Sequence, residues 1–391
     1  MSNSIINYKY PNYHTLYTKK FKLDDDPNTK YIFKFWRIND FILYCYNNKF
    51  IYDSIIKFIK RYDGFNVFFY LFLKKIDHND NIYILTMENY EEETDNILLI
   101  KNFVGFFSVF YDIEKKYCFA EHFLINPDYR GKGLCKIMVK YWNKYYTKIH
   151  TMPVYGAVFK SNEAALKCFE SGNYNIINEM KKHNDKIVVI GFDPLKYINP
   201  NYNGPSYIDK DFDIKKVFSE YSVSYNPLFE KKIDKDNKHY LLKFWNLNDF
   251  ILYCYHNKSI YLHIDNNIIR NDNFSVFFYF HLKLLNKETT YIITIEEYEN
   301  YPKITNFLGF MTCIINIDQG ISLLEHIYIN NQYDFLLHKM IKHWNKFYSH
   351  LYRYSIYSLS NHELLLSNHY ISNNNILTFD PIEYLKSKNK N

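Results

Sequence analysis

The chain has 391 residues, a formal net charge of +6, 47% hydrophobic residues and 20% aromatic residues. This length suits two domains with separate cores, and the composition excludes an intrinsically disordered or collagen-like chain. The positive charge is modest and spread along the sequence, whereas nucleic-acid-binding proteins cluster it on one face. We therefore expect a globular protein with no nucleic-acid partner.

Residue usage also predicts a cellular setting. The excess of Tyr, Phe, Ile, Asn and Lys is typical of an AT-rich genome such as that of a large DNA virus, which would place the protein in the host cytoplasm. The chain start has no apolar signal core, and the most apolar stretch, 97–111, contains Lys101 and Asn102, so we expect no membrane association. No pair of cysteines has C-x-x-C spacing, which predicts six reduced thiols. These cysteines are Cys45, Cys118, Cys135, Cys168, Cys254 and Cys313.

The first half of the chain alternates strand and helix patterns. We predict strands at 31–36, 103–111, 117–126, 152–159, 174–179 and 186–192, and helices at 40–62, 133–147 and 161–171. Segments 66–76 and 82–88 favour strands, although a helix remains open for the first. The order predicts an α/β (α+β) fold with a mixed sheet flanked by helices.

The sequence repeats itself. Lys34–Tyr46 returns as Lys243–Tyr255, an offset of 209 (243 − 34), and five further short segments return in the same order. These include Val67-Phe-Phe-Tyr70, which returns as Val276-Phe-Phe-Tyr279, and Glu121-His122, which returns as Glu325-His326. We predict two copies of one domain, 1–200 and 206–391, joined by the turn-rich segment 199–205.

One stretch of the first copy has the pattern of an anion site. The strand Phe119–Ile125 leads through Asn-Pro-Asp into Arg130-Gly-Lys-Gly133, and a helix follows. The first N–H groups of a helix have no intrahelical acceptor, and the helix dipole adds positive charge there. Glycines let a ligand approach the backbone closely. The stretch therefore predicts binding of an anionic group.

Two segments together resemble the GNAT superfamily of acyl-CoA-dependent N-acyltransferases. The first is Asn126-Pro-Asp-Tyr-Arg-Gly-Lys-Gly-Leu-Cys135, in which Cys135 stands where Gly or Ala is usual. The second is Asn162-Glu-Ala-Ala165 followed by Phe169 and Gly172, in which Phe169 stands where Tyr is usual. The resemblance implies two tandem GNAT-like domains, each with a mixed, mostly antiparallel sheet flanked by helices.

The resemblance also implies acetyl-CoA as the acyl donor, with no metal. Backbone amides of the glycine-containing turn would hold the CoA pyrophosphate, the end of the preceding strand would pair with the pantetheine arm, and the second helix would close the cleft. The implied cofactor-binding residues are Leu124, Ile125, Arg130, Gly131, Lys132, Gly133, Leu134, Cys135, Asn162, Ala165 and Phe169.

In the implied reaction a neutral amine attacks the thioester, so a base must remove a proton from an amine whose pKa is about 10. Glu121 and His122 are the candidates, and strand alternation predicts that they point to opposite faces. The alternative is that both are structural, because Glu325-His326 repeats them. Phe169 cannot act as the acid, which leaves Tyr174 or solvent.

The second copy lacks the anion-binding turn. Glu121 to Trp142 spans 21 positions and Glu325 to Trp344 spans 19, so two residues are missing, and no glycine remains in between. We predict a degenerate domain that packs on the first copy and shapes its acceptor cleft, with the chain as a monomer.

The predicted function is acetyl transfer to the primary amine of a small acceptor: an amino sugar, a polyamine or an amino acid. Two alternatives stay open. One is transfer of a longer acyl group, and the other is a CoA-binding or scaffold protein without turnover.

Overall fold

A computed structural model describes residues 12–92, 98–182, 185–218, 224–268, 270–301, 303–358, 365, 368, 370–373 and 376–388. The chain divides into two compact units, which we call unit 1 (residues 1–220) and unit 2 (residues 221–391). Within the described residues, none of the helices combines the length and the hydropathy that crossing a membrane requires.

Unit 1 alternates strands and helices along the chain. Its strands are β1 (Tyr17–Lys22), β2 (Lys30–Arg37), β3 (Ile82–Glu92), β4 (Leu98–Asp112), β5 (Tyr117–Ile125), β6 (Val154–Phe159), β7 (Asn175–Lys182) and β8 (Asp185–Phe192). Its helices are α1 (Ile38–Asn47), α2 (Lys49–Phe58), α3 (Val67–His78), α4 (Leu134–Ile149), α5 (Glu163–Glu170), α6 (Pro194–Ile198) and α7 (Lys215–Phe218).

The strands form one sheet in the order β1-β2-β3-β4-β5-β6-β8-β7. Every neighbouring pair is antiparallel except β5 and β6, which are parallel. Helices cover both faces of the centre: Phe106 of β4 contacts Phe41 of α1, and Phe107 contacts Trp142 of α4. The predicted mixed, mostly antiparallel sheet flanked by helices is confirmed.

Segment 66–76, for which the sequence favours a strand, belongs to helix α3. The Asn66 side chain caps this helix by accepting a hydrogen bond from the Phe69 amide, at 2.7 Å. All residues from Val67 to Lys74 are buried, so no polar stripe marks the helical period in the sequence. The predicted helix at 40–62 is also divided, because α1 ends at Asn47 and α2 starts at Lys49.

Unit 2 repeats this architecture. Its strands are β9 (Phe229–Lys235), β10 (Lys238–Asn246), β11 (Thr289–Asn300), β12 (Lys303–Asn316), β13 (Ile321–Ile329), β14 (Ile356–Ser358), β15 (Tyr370–Asn373) and β16 (Ile376–Phe379). Its helices are α8 (Leu247–His256), α9 (Lys258–Asn267), α10 (Val276–Leu285), α11 (Asp334–Leu351) and α12 (Pro381–Lys388). The sheet order is β9-β10-β11-β12-β13-β14-β16-β15, the same as in unit 1. The chain therefore has two tandem α/β domains of one kind.

Buried polar contacts repeat as well. Lys34 donates to Glu88 at 2.5 Å in unit 1, and Lys243 donates to Glu296 at 2.7 Å in unit 2. Burying such a pair costs solvation free energy, which the attraction between the two groups and their further hydrogen bonds offset. The two units therefore share these buried ion pairs as well as the sheet order.

The segment after the 199–205 turn lies on unit 1. The Phe212 ring stacks on Tyr155 of β6 with ring centroids 3.7 Å apart, and the Asp209 amide donates to the Tyr155 hydroxyl at 2.8 Å. The division between the units falls after residue 220, beyond the turn at which the sequence suggests it.

Candidate active site

The two parallel strands at the sheet centre separate along their length. β5 pairs with β6 only through Cys118 with Val154, Phe119 with Tyr155, and Ala120 with Gly156. β6 continues along β8 as far as Phe159, while β5 continues alone on this side to Ile125. The unpaired edge of residues 121–125 therefore exposes backbone donors and acceptors to whatever enters the opening.

Two cavities follow this opening. The first, of about 360 Å³, lies at the point where the strands part and is lined by Glu121, His122 and Phe169, among others. The second, of about 310 Å³, extends from Phe123–Ile125 to the turn before α4. Asn162 and Ala165 line both cavities, so the two lie next to each other along the opening, and we call them together the cleft.

The cleft brings together most of the implied cofactor-binding residues. Those that line it are Leu124, Ile125, Arg130, Gly131, Gly133, Leu134, Cys135, Asn162, Ala165 and Phe169. Lys132 is not among the lining residues, and its ammonium nitrogen lies 3.6 Å from Asp26 Oδ2. The sequence pattern therefore located the cleft, whereas the Lys132 side chain points elsewhere.

The turn before α4 is open towards the cleft. Gly131 and Gly133 have φ angles of 81° and 70°, which residues with a side chain rarely adopt. A Cβ atom added to either would meet no heavy atom within 4 Å. The glycines are thus needed for the backbone conformation and for the space in front of it. Leu134 and Cys135 start the helix, where N–H groups lack helical acceptors.

Asn162 positions the second helix of the cleft. Its Oδ1 accepts a hydrogen bond of 3.2 Å from the Ala165 amide and so caps α5. Asn162 lines the cleft, and this use of the oxygen leaves its side-chain NH₂ group as a donor for a ligand. Asn162 can therefore both fix the helix and donate to a ligand.

Glu121 and His122 lie on the same side of the sheet. Ser108 of β4 pairs with His122 and the next residue, Val109, pairs with Ala120, so Glu121 is an extra residue in a β-bulge. Tyr70 of α3 contacts both: its hydroxyl donates to Glu121 Oε1 at 2.5 Å, and its ring lies edge-on to His122 with centroids 5.5 Å apart. The expectation of opposite faces is wrong, because the bulge breaks the strand alternation.

Both ring nitrogens of His122 are engaged. Arg61 NH1 lies 2.6 Å from Nε2, and Ser108 Oγ lies 2.9 Å from Nδ1. Since a guanidinium can only donate, Nε2 must accept, and the proton of the neutral ring is on Nδ1 and is donated to Ser108. Burial and the Arg61 charge hold the His122 pKa well below its ordinary value. His122 is therefore a neutral group without a free lone pair, which is unsuited to act as a base.

Glu121 retains a free acceptor. Its Oε1 receives the Tyr70 hydroxyl and lies 3.6 Å from the Lys74 ammonium nitrogen. Among the described residues no side chain or amide donates to Oε2 in the structure, and the side chain is 8% exposed, at the cleft wall. A carboxylate with one oxygen hydrogen-bonded to the protein and the other facing the cleft can accept a proton from a substrate.

Tyr174 lies outside the cleft. It is 2% exposed, its ring packs on Phe169 and Phe192, and its hydroxyl donates to Asn143 Oδ1 at 3.3 Å. Burial raises its pKa well above the ordinary value for a tyrosine. In unit 2, Tyr370 makes the same 3.3 Å bond to Asn345. The structure thus gives Tyr174 a packing role and removes the basis for proposing it as the acid.

The sequence motifs do not include the side chains that hold Glu121 and His122, namely Arg61, Tyr70, Lys74 and Ser108. A signal was available for Tyr70, because it ends the repeated segment Val67–Tyr70. Arg61-Tyr-Asp63 and Arg270-Asn-Asp272 also match at the offset of 209. Such matches identify shared structure, but only the fold shows what each side chain contacts.

Two cysteines of the cleft form a disulfide. Cys135 at the start of α4 is bonded to Cys168 of α5, with Cα atoms 6.0 Å apart. The expectation of six reduced thiols is wrong for this pair, while Cys45, Cys118, Cys254 and Cys313 are free and buried. The two cysteines are 33 residues apart in the sequence, and the sequence does not reveal that α4 and α5 pack side by side. The pairing could therefore not be predicted.

Unit 2 keeps the hydrogen bonds around the central strand but not the turn. Tyr279 donates to Glu325 at 2.6 Å, and Arg270 lies 2.9 Å from His326 Nε2. At the equivalent of the glycine-containing turn, a short 3-10 helix (Asn331–Tyr333) leads directly into α11. The side-chain network therefore does not depend on the anion-binding turn.

Residues 62–173 match the sequence model of the acetyltransferase (GNAT) family. This segment runs from the loop before α3 to the end of α5 and contains both walls of the cleft. Residues 62–173 form a GNAT acetyltransferase domain. Unit 2, with the same sheet order, is a second domain of GNAT-like architecture.

Comparison with curated sequences and with solved structures adds the following. No curated protein sequence matches the chain. Among solved structures, a Vibrio cholerae spermidine N-acetyltransferase in complex with CoA and spermine is similar at 17% identity and a TM-score of 0.30, covering 43% of this chain and 98% of that one. The Vibrio cholerae spermidine/spermine N-acetyltransferase SpeG with manganese ions is similar at 12% identity and a TM-score of 0.31, covering 48% and 98%. The family assignment is based on the sequence match alone.

Proposed function

We propose that unit 1 transfers an acetyl group from acetyl-CoA to the primary amine of a small molecule. One observation carries the proposal: two adjacent cavities with shared walls extend from the Arg130–Cys135 turn to Glu121. An anionic cofactor held at the turn, with its arm along the unpaired edge of β5, would place its far end beside Glu121. GNAT acetyltransferases use acetyl-CoA, and the cleft supports that donor here.

The cofactor end of the cleft fits a pyrophosphate. The amides that start α4 and the open backbone at Gly131 and Gly133 provide donors without side-chain obstruction. The guanidinium of Arg130 adds positive charge at the same place, and its Nε is fixed by the Ile125 carbonyl at 3.2 Å. Asn162 contributes a donor from the opposite wall.

Glu121 is the proposed general base. The amine nitrogen attacks the thioester carbonyl, the C–N bond forms, and the amine proton passes to Glu121 Oε2. The C–S bond then breaks and CoA leaves as a thiolate, which takes a proton from solvent. Solvent is the proposed donor because Phe169 lines the cleft and Tyr174 lies in the core. A positioned base typically contributes about 10²–10⁴-fold to the rate.

The acceptor class is proposed more broadly, as an amino sugar, a polyamine or an amino acid. The acidic run that starts at Glu88 does not form a free acidic patch in the described residues. Glu88 is buried against Lys34, Glu91 lies 2.8 Å from Lys101, and Glu92 contacts Lys30 at 2.7 Å. This run therefore gives no reason to prefer a polyamine.

The second candidate function is binding of CoA without turnover, favoured by Phe169 at the usual position of a proton-donating tyrosine. A third, transfer of a longer acyl group, depends on the apolar part of the cleft near Ala120 and Phe107. The three differ in two measurable properties, namely whether the donor stabilises the protein and whether thiol is released.

The test uses the full-length protein. Thermal unfolding is measured with and without acetyl-CoA, since a ligand at 100 times its Kd stabilises the folded state by about 2.7 kcal/mol. Release of CoA thiol is then followed with a panel of amines and with acetyl-, butanoyl- and octanoyl-CoA. Stabilisation with acetyl-CoA-dependent thiol release is the expected result. Stabilisation without release would favour the binding protein, faster release from longer donors would favour the third candidate, and absence of stabilisation would contradict the cofactor assignment.

A further inference from the structure

The Cys135–Cys168 disulfide joins the two helices that form the walls of the cofactor cleft. Cys135 is the second residue of α4, is half-buried, and lines the cavity beside Gly133. Cys168 lies on α5, six residues after the capping Asn162 (168 − 162), and is buried. The bond therefore connects the start of α4, where the pyrophosphate would bind, to α5, which forms the opposite wall of the cleft.

This connection fixes the width of the cleft. The amides at the start of α4 and the Asn162 side chain can donate hydrogen bonds to the same ligand at the same time. This requires that the distance between α4 and α5 be maintained. A covalent link at Cys135 sets that spacing in the free protein, so less conformational freedom is lost when the ligand binds. Without the link, the spacing depends on non-covalent packing of the two helices alone.

The pair occurs only in the copy that has the glycine-containing turn. Cys135 lies seven residues before Trp142, and the residue seven before Trp344 in unit 2 is Leu337 (344 − 7). By contrast, Cys45 and Cys254 occupy the same position of the repeat (254 − 45 = 209), and both are free and buried. The disulfide is thus associated with the cofactor site and not with the shared fold.

The bond is accessible from the cleft. Cys135 is half-buried and lines the cavity that the cofactor would fill, whereas Cys168 is 1% exposed, so we expect an external thiol to approach the bond from the Cys135 side. A ligand in the cleft would therefore shield the bond. At equilibrium the coupling works in both directions: if the disulfide form binds acetyl-CoA more tightly, bound acetyl-CoA must also make the disulfide harder to reduce.

We propose that Cys135 and Cys168 form a reversible redox site that controls acetyl-CoA binding, with the disulfide form as the high-affinity state. A small thiol reductant opens it in two exchange steps. The first thiolate attacks the Cys135 sulfur, forms a mixed disulfide and releases the Cys168 thiolate, which takes a proton. A second thiolate attacks the reductant's sulfur and releases Cys135. Two reductant thiols become one disulfide, and the protein gains two electrons and two protons. This inference rests on the proposed acetyl-CoA site.

The test compares one protein in two redox states. Full-length protein purified without reductant is alkylated and analysed by peptide mass spectrometry to establish the Cys135–Cys168 link. The Kd for acetyl-CoA is then measured by calorimetry before and after treatment with dithiothreitol. We expect the Kd to rise about five- to tenfold on reduction, as for loss of a preorganised binding site. We also expect saturating acetyl-CoA to slow the reduction.

Two variants make the result specific. The double variant Cys135→Ala/Cys168→Ala should bind with the weaker affinity and show no response to dithiothreitol. Cys254→Ala, in unit 2, should respond as the wild type does. Equal Kd values in both redox states, a missing link in the oxidised protein, or a response in the double variant would each overturn the redox site. Absence of acetyl-CoA binding in both states would instead contradict the proposed function.

Discussion

The Tyr70 hydroxyl donates a 2.5 Å hydrogen bond to Glu121 Oε1, and in unit 2 Tyr279 makes the equivalent bond to Glu325 at 2.6 Å. A pair that occurs in both units is part of the shared architecture, so its presence alone does not identify a catalytic group. The units differ in the turn that follows the strand. In the described residues, the strand of unit 1 is followed by a cavity and a turn with two glycines in the left-handed region, whereas that of unit 2 leads into the 3-10 helix Asn331–Tyr333. This difference makes unit 2 an internal control for unit 1.

The first prediction concerns the base. Glu121→Gln should lower kcat by about 10²-fold or more, because the amide cannot accept the amine proton. Thermal unfolding should shift to lower temperature, because the amide can still accept from Tyr70 but no longer compensates the Lys74 charge 3.6 Å away. Steady-state kinetics with the best amine of the panel measures the effect. The matched variant Glu325→Gln should leave kcat unchanged, and equal losses of activity in both variants would indicate a structural role for the carboxylate.

The second prediction concerns acid stability in unit 2. Burial holds the pKa of His326 at about 4 in the folded state, against an ordinary value of 6.5. The unfolded chain therefore binds more protons between these values, and stability falls as the pH drops from about 6.5 to about 4. The free energy of unfolding of unit 2 should fall by about 3 kcal/mol, because each unit of pKa difference corresponds to about 1.36 kcal/mol. Hydrogen exchange of unit 2 peptides across this range measures it.

The variant His326→Gln should flatten this pH dependence by close to one proton, since glutamine does not titrate. The exposed His350 provides the control, because His350→Gln should leave the slope as in the wild type. A slope unchanged in His326→Gln would show that other groups cause the acid lability.

The third prediction separates charge from bulk at the turn. Gly133→Asn and Gly133→Asp add side chains of the same shape at a position with a φ of 70°, which Asn and Asp tolerate better than other residues. A Cβ there meets no heavy atom within 4 Å, so both should fold. Both should bind acetyl-CoA more weakly, and Asp more so, by about tenfold, because its charge opposes the pyrophosphate. Calorimetry measures the two Kd values, and equal Kd values would argue against an anion at this turn.

The fourth prediction concerns the stability of unit 1. The disulfide spans 33 residues, and closing a loop of that length in the unfolded chain corresponds to about 3–4 kcal/mol in the chain-entropy model. Reduction should therefore lower the unfolding free energy of unit 1 by up to this amount. Hydrogen exchange on oxidised and reduced protein measures it, with unit 2 peptides as the control that should not change. Equal protection of unit 1 in both states would show that the unfolded chain is not constrained by the bond.

Much of the fold could be predicted from the sequence. The strand Phe119–Ile125 and the following helix have clear periodicity, and the repeated Lys34–Tyr46 segment reveals the duplication without any structure. Helix α3 could not be identified with certainty, because burial on every side leaves no polar stripe. Local pattern succeeds where one face of an element is exposed to water and fails where the element is fully enclosed.

The candidate site also has a part that could be predicted from the sequence and a part that could not. The backbone part, from Arg130 to Cys135 together with Asn162, depends on local turn and helix-start chemistry, which residue type and spacing determine. The side-chain part does not. Whether Glu121 and His122 share a face depends on a single extra residue in β5 relative to β4, and a bulge of this kind leaves no mark in the sequence of one strand.

The sequence by itself determined that the chain holds two copies of one α/β domain, and that only the first has a glycine-containing turn at the start of a helix. These properties depend on residues that are close together in the sequence, so they can be recognised without the structure. The tertiary structure decided that Arg61 and Ser108 occupy both nitrogens of His122, that Glu121 is open to the cleft, that Tyr174 lies in the core, and that Cys135 is bonded to Cys168. Each of these depends on segments that are distant in sequence and meet only when the sheet brings the helices together.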